Sequence, residues 1–129
     1  MDSESQPLRC VIVDDNAAFL EAAASMLGRD GLTVVGVASS SAQALRCVAQ
    51  LRPDVAVVDI DLGGESGFDL AEQLADGAAG SSVILTSTHS EQDFADMIAA
   101  SPALGFVPKV ELSADAVLDL LGRGNGSSR

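Results

Sequence analysis

The sequence predicts an α/β fold: one domain of five consecutive strand–helix units, its strands forming a single parallel sheet with helices on both faces. Three observations predict it. Short β-branched runs recur at regular spacing along the 129 residues. Stretches with apolar residues at helical spacing separate them. The strands also read as continuously apolar, as in "VAVV" at 55–58, which fits a sheet covered on both sides. Parallel strands joined through helices imply right-handed crossovers.

Strands are expected at Cys10–Val13, Thr33–Ala38, Val55–Asp59, Val83–Thr86 and Gly105–Val107. After the first, Phe19, Leu20, Ala23 and Leu27 mark one helical face, and Gly28 is read as its end. The second helix carries Leu45, Val48 and Leu51 and is stopped by Pro53. The third runs from Phe68 to Leu74 and ends at the Asp76–Gly77 turn. Ser90, with Asp93 three residues on, is read as the start of the fourth helix, whose core face is Phe94, Met97 and Ile98 before Pro102. Ser113 is an N-cap for the fifth, with Leu112 and Val117 placed as a hydrophobic staple, and that helix runs through Leu120 and Leu121 to Gly122. Residues 1–7 are expected to be a disordered N-terminus, 8–122 the domain, and 123–129 a flexible tail or linker stub.

Composition narrows the class. Hydrophobic residues make up 47%, yet the aromatics are four Phe, so the core must be aliphatic and rich in Ala. Cys10 and Cys47 have no paired spacing and are read as reduced, buried thiols. The polar, acidic start MDSESQPLR is no signal peptide. No apolar run approaches the ~20 residues that span a bilayer, so a cytoplasmic protein without membrane contact is expected. The net charge of −12, with seven scattered basic residues, argues against direct nucleic-acid binding.

In open parallel sheets, ligands bind at the carboxyl ends of the strands. The first strand runs into Asp14 and Asp15, the third ends at Asp59 with Asp61 beyond it, the fourth ends at Thr86–Ser87, and the fifth runs into Lys109. Such a rim suits a hard divalent cation and phosphate: carboxylates for Mg²⁺, an ammonium for phosphate oxygens, a hydroxyl donor, and a carboxylate placed to accept a phosphoryl group. Each residue alone has a commoner structural reading; Asp14–Asp15, for instance, also suits a helix N-terminus. Their register with successive strands gives the functional reading its weight. His89, in the loop after the fourth strand, is read as exposed and not catalytic.

With "CVIVDDN", "PDVAVVDIDLGGESG", "VILTS" and "GFVPK" in this order, the chain resembles the receiver domain of two-component response regulators over roughly residues 8–122. The resemblance implies a flavodoxin-like, doubly wound (βα)5 three-layer sandwich of strand order 2-1-3-4-5. It implies that Asp59 is phosphorylated, that Asp14 and Asp15 hold Mg²⁺ (with Mn²⁺ as a substitute) together with Asp59 and the backbone carbonyl of Asp61, and that Thr86 and Lys109 stabilise the phosphoryl group. Phe106 takes the switch-aromatic position.

The implied partners are a sensor histidine kinase or histidine phosphotransfer protein, and an output domain or partner protein on the surface of the fourth helix, fifth strand and fifth helix. Homodimerisation on phosphorylation is a further implied partner, and transcription control the commonest implied output. The implied role is regulatory, with catalysis limited to the domain's own phosphorylation and dephosphorylation. On phosphorylation, Thr86 is expected to be drawn toward the site and Phe106 to turn inward.

Two departures from the family pattern stand out. Gly63 and Gly64 follow Leu62 where Leu-Pro is common, which predicts a more flexible loop. Pro108 precedes Lys109 where the family has a proline after it, which puts the family's cis bond in question and leaves open whether the peptide after the lysine is cis. The rival readings are a haloacid-dehalogenase-type phosphatase using Asp59-x-Asp61, disfavoured because that family places its D-x-D strand first, and an unphosphorylated pseudo-receiver, disfavoured because no reactive group is missing.

Overall fold

A computed structural model describes residues 8–77 and 80–122, so the expected N-terminal and C-terminal tails lie outside the described residues. Five parallel strands, β1 (Arg9–Val13), β2 (Thr33–Ala38), β3 (Val55–Asp59), β4 (Ser82–Ser87) and β5 (Gly105–Pro108), form one sheet in the order β2-β1-β3-β4-β5. This is the predicted 2-1-3-4-5 order.

The sheet divides its side chains by the two-residue period of a strand. Val11, Val13, Ala56, Val58, Val83, Leu85 and Phe106 face one core, beneath helices α2 (Ser41–Leu51), α3 (Gly67–Asp76) and α4 (Ala95–Ala100). Cys10, Ile12, Val55, Val57, Ile84 and Val107 face the other, beneath α1 (Ala17–Arg29) and α5 (Ala114–Leu120). A strand buried on both sides must be apolar at every position. That is why β3 is fully buried and why its sequence shows no alternation. Cys10 lies in the second core, where burial pushes its thiol up to about 12. Cys47 is also a free thiol but only half-buried against the first core, which corrects its reading as a buried thiol.

The helix ends follow local chemistry. Asn16, Ser40, Ser66 and Ser113 each accept a backbone N–H at the start of α1, α2, α3 and α5. Leu112 and Val117 are both buried in the same core, as a staple requires.

Three expectations are corrected. Gly28 does not end α1; the helix continues to Arg29, and Gly31 takes the left-handed turn at φ +110°. Ser90 starts a single 3-10 turn, Glu91–Phe94, without a side-chain cap, and α4 proper begins only at Ala95. Met97 is 52% exposed, while Phe94 and Ile98 are half-buried, so α4 carries no fully buried residue.

The Gly63–Gly64 segment is not a loose loop. Asp61–Leu62 pairs antiparallel with Glu65–Ser66, and the two glycines between them take φ +64° and +99°, values that favour glycine and close a two-residue hairpin. The Glu65 carboxylate accepts the Ser41 N–H at 2.8 Å and ties this hairpin to the start of α2. There is no cis peptide bond among the described residues.

Candidate functional site

The carboxyl ends of β1, β3, β4 and β5 bring together the residues the sequence assigned to them. Asp14 directly follows β1, fully buried. Its Oδ1 accepts the N–H of Asn16 at 2.9 Å, and its Oδ2 lies 2.6 Å from Lys109 Nζ. That contact is an ion pair with the ammonium, and a carboxylate oxygen has a second lone pair that a cation can use. Asp59 ends β3, 5% exposed, with Oδ1 accepting the Asp61 N–H at 3.2 Å and Oδ2 3.2 Å from Lys109 Nζ. Asp15 is exposed at the mouth, and one carboxylate oxygen from each of Asp14, Asp15 and Asp59 lies within 4.8 Å of the others.

Charge decides what this arrangement can take. Burial raises the Asp59 carboxyl above the usual range. The Asp61 N–H opposes that rise, Asp14 adds to it by repulsion, and Lys109 opposes it. Burial pulls Lys109 down, but the contacts with Asp14 and Asp59 outweigh it and hold the ammonium above its ordinary value. Three carboxylates against one ammonium leave an excess of negative charge in a largely buried rim. A hard divalent cation answers that excess. The donor set therefore fits Mg²⁺.

Thr86 is buried at the end of β4, but its hydroxyl donates to the Val107 carbonyl at 2.6 Å across the β4–β5 pair. It is not aimed at a ligand. Phe106 is already inside, 9% exposed in the core beneath α2–α4, so the expected inward turn has no outward starting point in this structure. Asp61 is exposed in the hairpin, its side chain accepting the Gly63 N–H at 3.3 Å. His89 is exposed, as expected, and sits edge-on to Phe94 with ring centroids 5.9 Å apart.

Sequence reasoning missed one contributor, Phe19, and the steric reason for a second, Gly67, which matches the helix-leading glycine of the family pattern. Phe19, read only as part of a helical stripe, places its ring 4.4 Å from Lys109 Nζ. The ammonium thus rests between an aromatic face and two carboxylates. Gly67 begins α3 against the back of the site: a Cβ there would lie 2.1 Å from the Asp59 carbonyl oxygen. The only sequence signal for Phe19 was its place one helical turn after the acidic pair. Replacing it tests the contact. Phe19→Leu is expected to lower stability by about 1 kcal/mol, and Phe19→Tyr, which keeps the ring face, to recover most of it. Thermal unfolding of the two variants reads the difference.

The comparisons with known proteins agree with this geometry. Residues 10–120 match the family model of the response regulator receiver domain. The chain belongs to that family. It is 30% identical over 114 residues to the transcriptional regulatory protein YvfU of Bacillus subtilis, covering 85% of this chain and 57% of that protein. Among solved structures, the signal receiver domain of NarL from Mycobacterium tuberculosis is 31% identical with a TM-score of 0.80, over 92% of this chain and 99% of that one. A two-component response regulator of the LuxR family from Aurantimonas sp. SI85-9A1, 24% identical, shares the fold with a TM-score of 0.80 over 95% of this chain and 91% of that one.

This chain spans little more than half the length of the transcriptional regulators it matches. The phosphatase reading of Asp59-x-Asp61 falls with the family assignment, because receiver domains are regulatory. No helix among the described residues is long and apolar enough to cross a membrane.

Proposed function

We propose that Asp59 is the phosphoacceptor, taking a phosphoryl group from the phosphohistidine of a sensor histidine kinase or histidine phosphotransfer protein. The observation that carries this reading is the single rim on which Asp59, two further carboxylates and Lys109 converge in a chain of the receiver family. Asp14, Asp15 and Asp59, with the Asp61 carbonyl, would hold Mg²⁺, which supplies charge neutralisation to the incoming phosphoryl oxygens. An Asp59 carboxylate oxygen attacks phosphorus as the phosphorus–nitrogen bond to the donor imidazole breaks, giving an acyl phosphate. Lys109, already 3.2 Å from Asp59, pairs with the charge that arrives.

Thr86 must leave the Val107 carbonyl to donate to the phosphoryl group, and that exchange loosens a β4–β5 contact next to the buried Phe106. The event is thereby carried toward α4, β5 and α5, where an output region or partner reads it. Transcription control is the output that the relatives' names favour, and the cytoplasm is its place in this reading. The receiver domain occupies residues 8–122 in this reading.

The test uses the full chain with acetyl phosphate or phosphoramidate and Mg²⁺, read by intact mass. One added phosphoryl group per chain is expected, and it should disappear with Asp59→Ala or with a chelator. No gain in mass, or a gain that survives Asp59→Ala, overturns the assignment.

A further inference from the structure

A groove of about 430 Å³ opens beside the phosphoacceptor rim, between the Asp61–Ser66 hairpin and the start of α4. Its floor is apolar: Ile60, Phe68, Phe94 and the exposed Met97. Phe68 and Phe94 pack with ring centroids 6.1 Å apart, so the floor is a built aromatic surface. Asp61 and Glu65 form its rim on the hairpin side, while Glu91 and Asp93, in the 3-10 turn that carries Phe94, and Asp96, next to Met97, are exposed.

Charge identifies the occupant. Between residues 60 and 122 the sequence holds eleven Asp and Glu against one basic residue, Lys109, which is committed to Asp14 and Asp59. Among the described residues from 60 to 122, no Lys or Arg is free to face the groove. A second copy docking through the same half would bring like charges together, which disfavours a symmetric dimer here.

We infer that this groove docks a basic amphipathic segment of a partner protein, its apolar side chains seated on Phe68, Phe94 and Met97 and its Lys and Arg facing Asp61 and the acidic turn before α4. Apolar anchors in a pocket with a ring of charge outside are the usual anatomy of helix-in-groove recognition. The surface differs from the one formed by α4, β5 and α5, since its other wall is the hairpin that follows Asp59. It requires no phosphorylation, so it can be measured on the unmodified chain and stands or falls apart from the assignment of Asp59.

The probe is a synthetic 18-residue amphipathic peptide of Leu and Lys, with a Leu and Glu peptide of the same apolar face as control. Both are titrated into isotope-labelled full-length protein at physiological salt and followed by NMR. The Lys peptide is expected to bind, with shifts concentrated at residues 60–68 and 89–97. Met97→Glu should weaken it at least tenfold and Asp115→Asn on α5 less than twofold. Met97 is exposed, so that variant should keep its fold, checked by the same spectra. Shifts spread evenly over the acidic helices, equal binding of the Glu peptide, or indifference to Met97→Glu would each overturn the inference. So would sedimentation showing a dimer that Met97→Glu dissolves, because the occupant would then be a second copy.

Discussion

Gly67→Ala is expected to cost at least about 3 kcal/mol and to lower the thermal midpoint by more than about 10 °C. Gly67 is the first residue of α3, and its N–H donates to the Ile60 carbonyl at 2.7 Å, so the helix starts directly behind the end of β3. A methyl group there would meet the Asp59 carbonyl oxygen at 2.1 Å, the Ile60 Cα at 2.8 Å and the Asp59 carbonyl carbon at 2.9 Å. All three are backbone atoms, and none can rotate away. Relief requires α3 to move off the sheet or β3 to shift, and either displaces the phosphoacceptor.

Gly28→Ala is the informative contrast. That glycine lies inside α1 with nothing within 4 Å of an added Cβ, so alanine there should stabilise by about 1 kcal/mol. Circular dichroism melts of both variants separate a steric requirement from a general dislike of losing glycine. If Gly67→Ala melted like the parent, the close approach of α3 to Asp59 would be wrong.

What the sequence revealed and what it concealed both follow from where each signal originates. Strand positions were legible because β3 and β4 are buried on both faces, and burial on both faces forces a continuous apolar run that needs no partner to be recognised. The rim residues were legible because each directly follows such a run. The fourth helix was misread because Ser90 resembles an N-cap, whereas its side chain caps nothing and no α4 residue is fully buried. Without a buried face, helical periodicity says little about where a helix begins.

Gly63–Gly64 was read for flexibility when its positive φ values close a hairpin, and "Leu-Gly-Gly-Glu" is itself a turn signal. The roles of Phe19 and Gly67 were hidden for a different reason. Both act through three-dimensional distances, α1 to the remote Lys109 and the start of α3 back to the nearby end of β3, and a pattern of residue types does not encode such distances. Thr86 shows the same limit. Its position was read correctly, while its hydroxyl partner, Val107, is fixed by sheet register.

Lys109→Met is expected to destabilise the metal-free chain by roughly 3 kcal/mol at neutral pH, because it leaves two buried carboxylates without their shared counter-charge. The pH dependence gives this expectation its sign. Asp59 already binds its proton more tightly folded than an ordinary carboxyl does, chiefly through burial and further through Asp14, while the Asp61 N–H and Lys109 oppose that rise. Removing Lys109 takes away one opposing influence and raises Asp59 further.

A carboxyl raised on folding disfavours the folded state wherever it is ionised. The penalty is therefore full above its folded titration range, shrinks as pH falls through that range, and is gone near ~3.9, where the unfolded carboxyl also takes up its proton. The variant should accordingly regain stability on acidification from neutral pH, by more than the parent does. Asp59→Asn in the same background should remove most of that dependence. Mg²⁺ should stabilise Lys109→Met more than the parent, because a cation that binds only the folded state adds stability in proportion to its affinity, and the variant offers it carboxylates with no competing ammonium. Melts across pH, with chelator or with Mg²⁺, read all three effects. A variant whose stability were flat with pH and indifferent to Mg²⁺ would show that Lys109 does not balance the charge of Asp14 and Asp59, and the charge argument for a cation at this rim would fall with it.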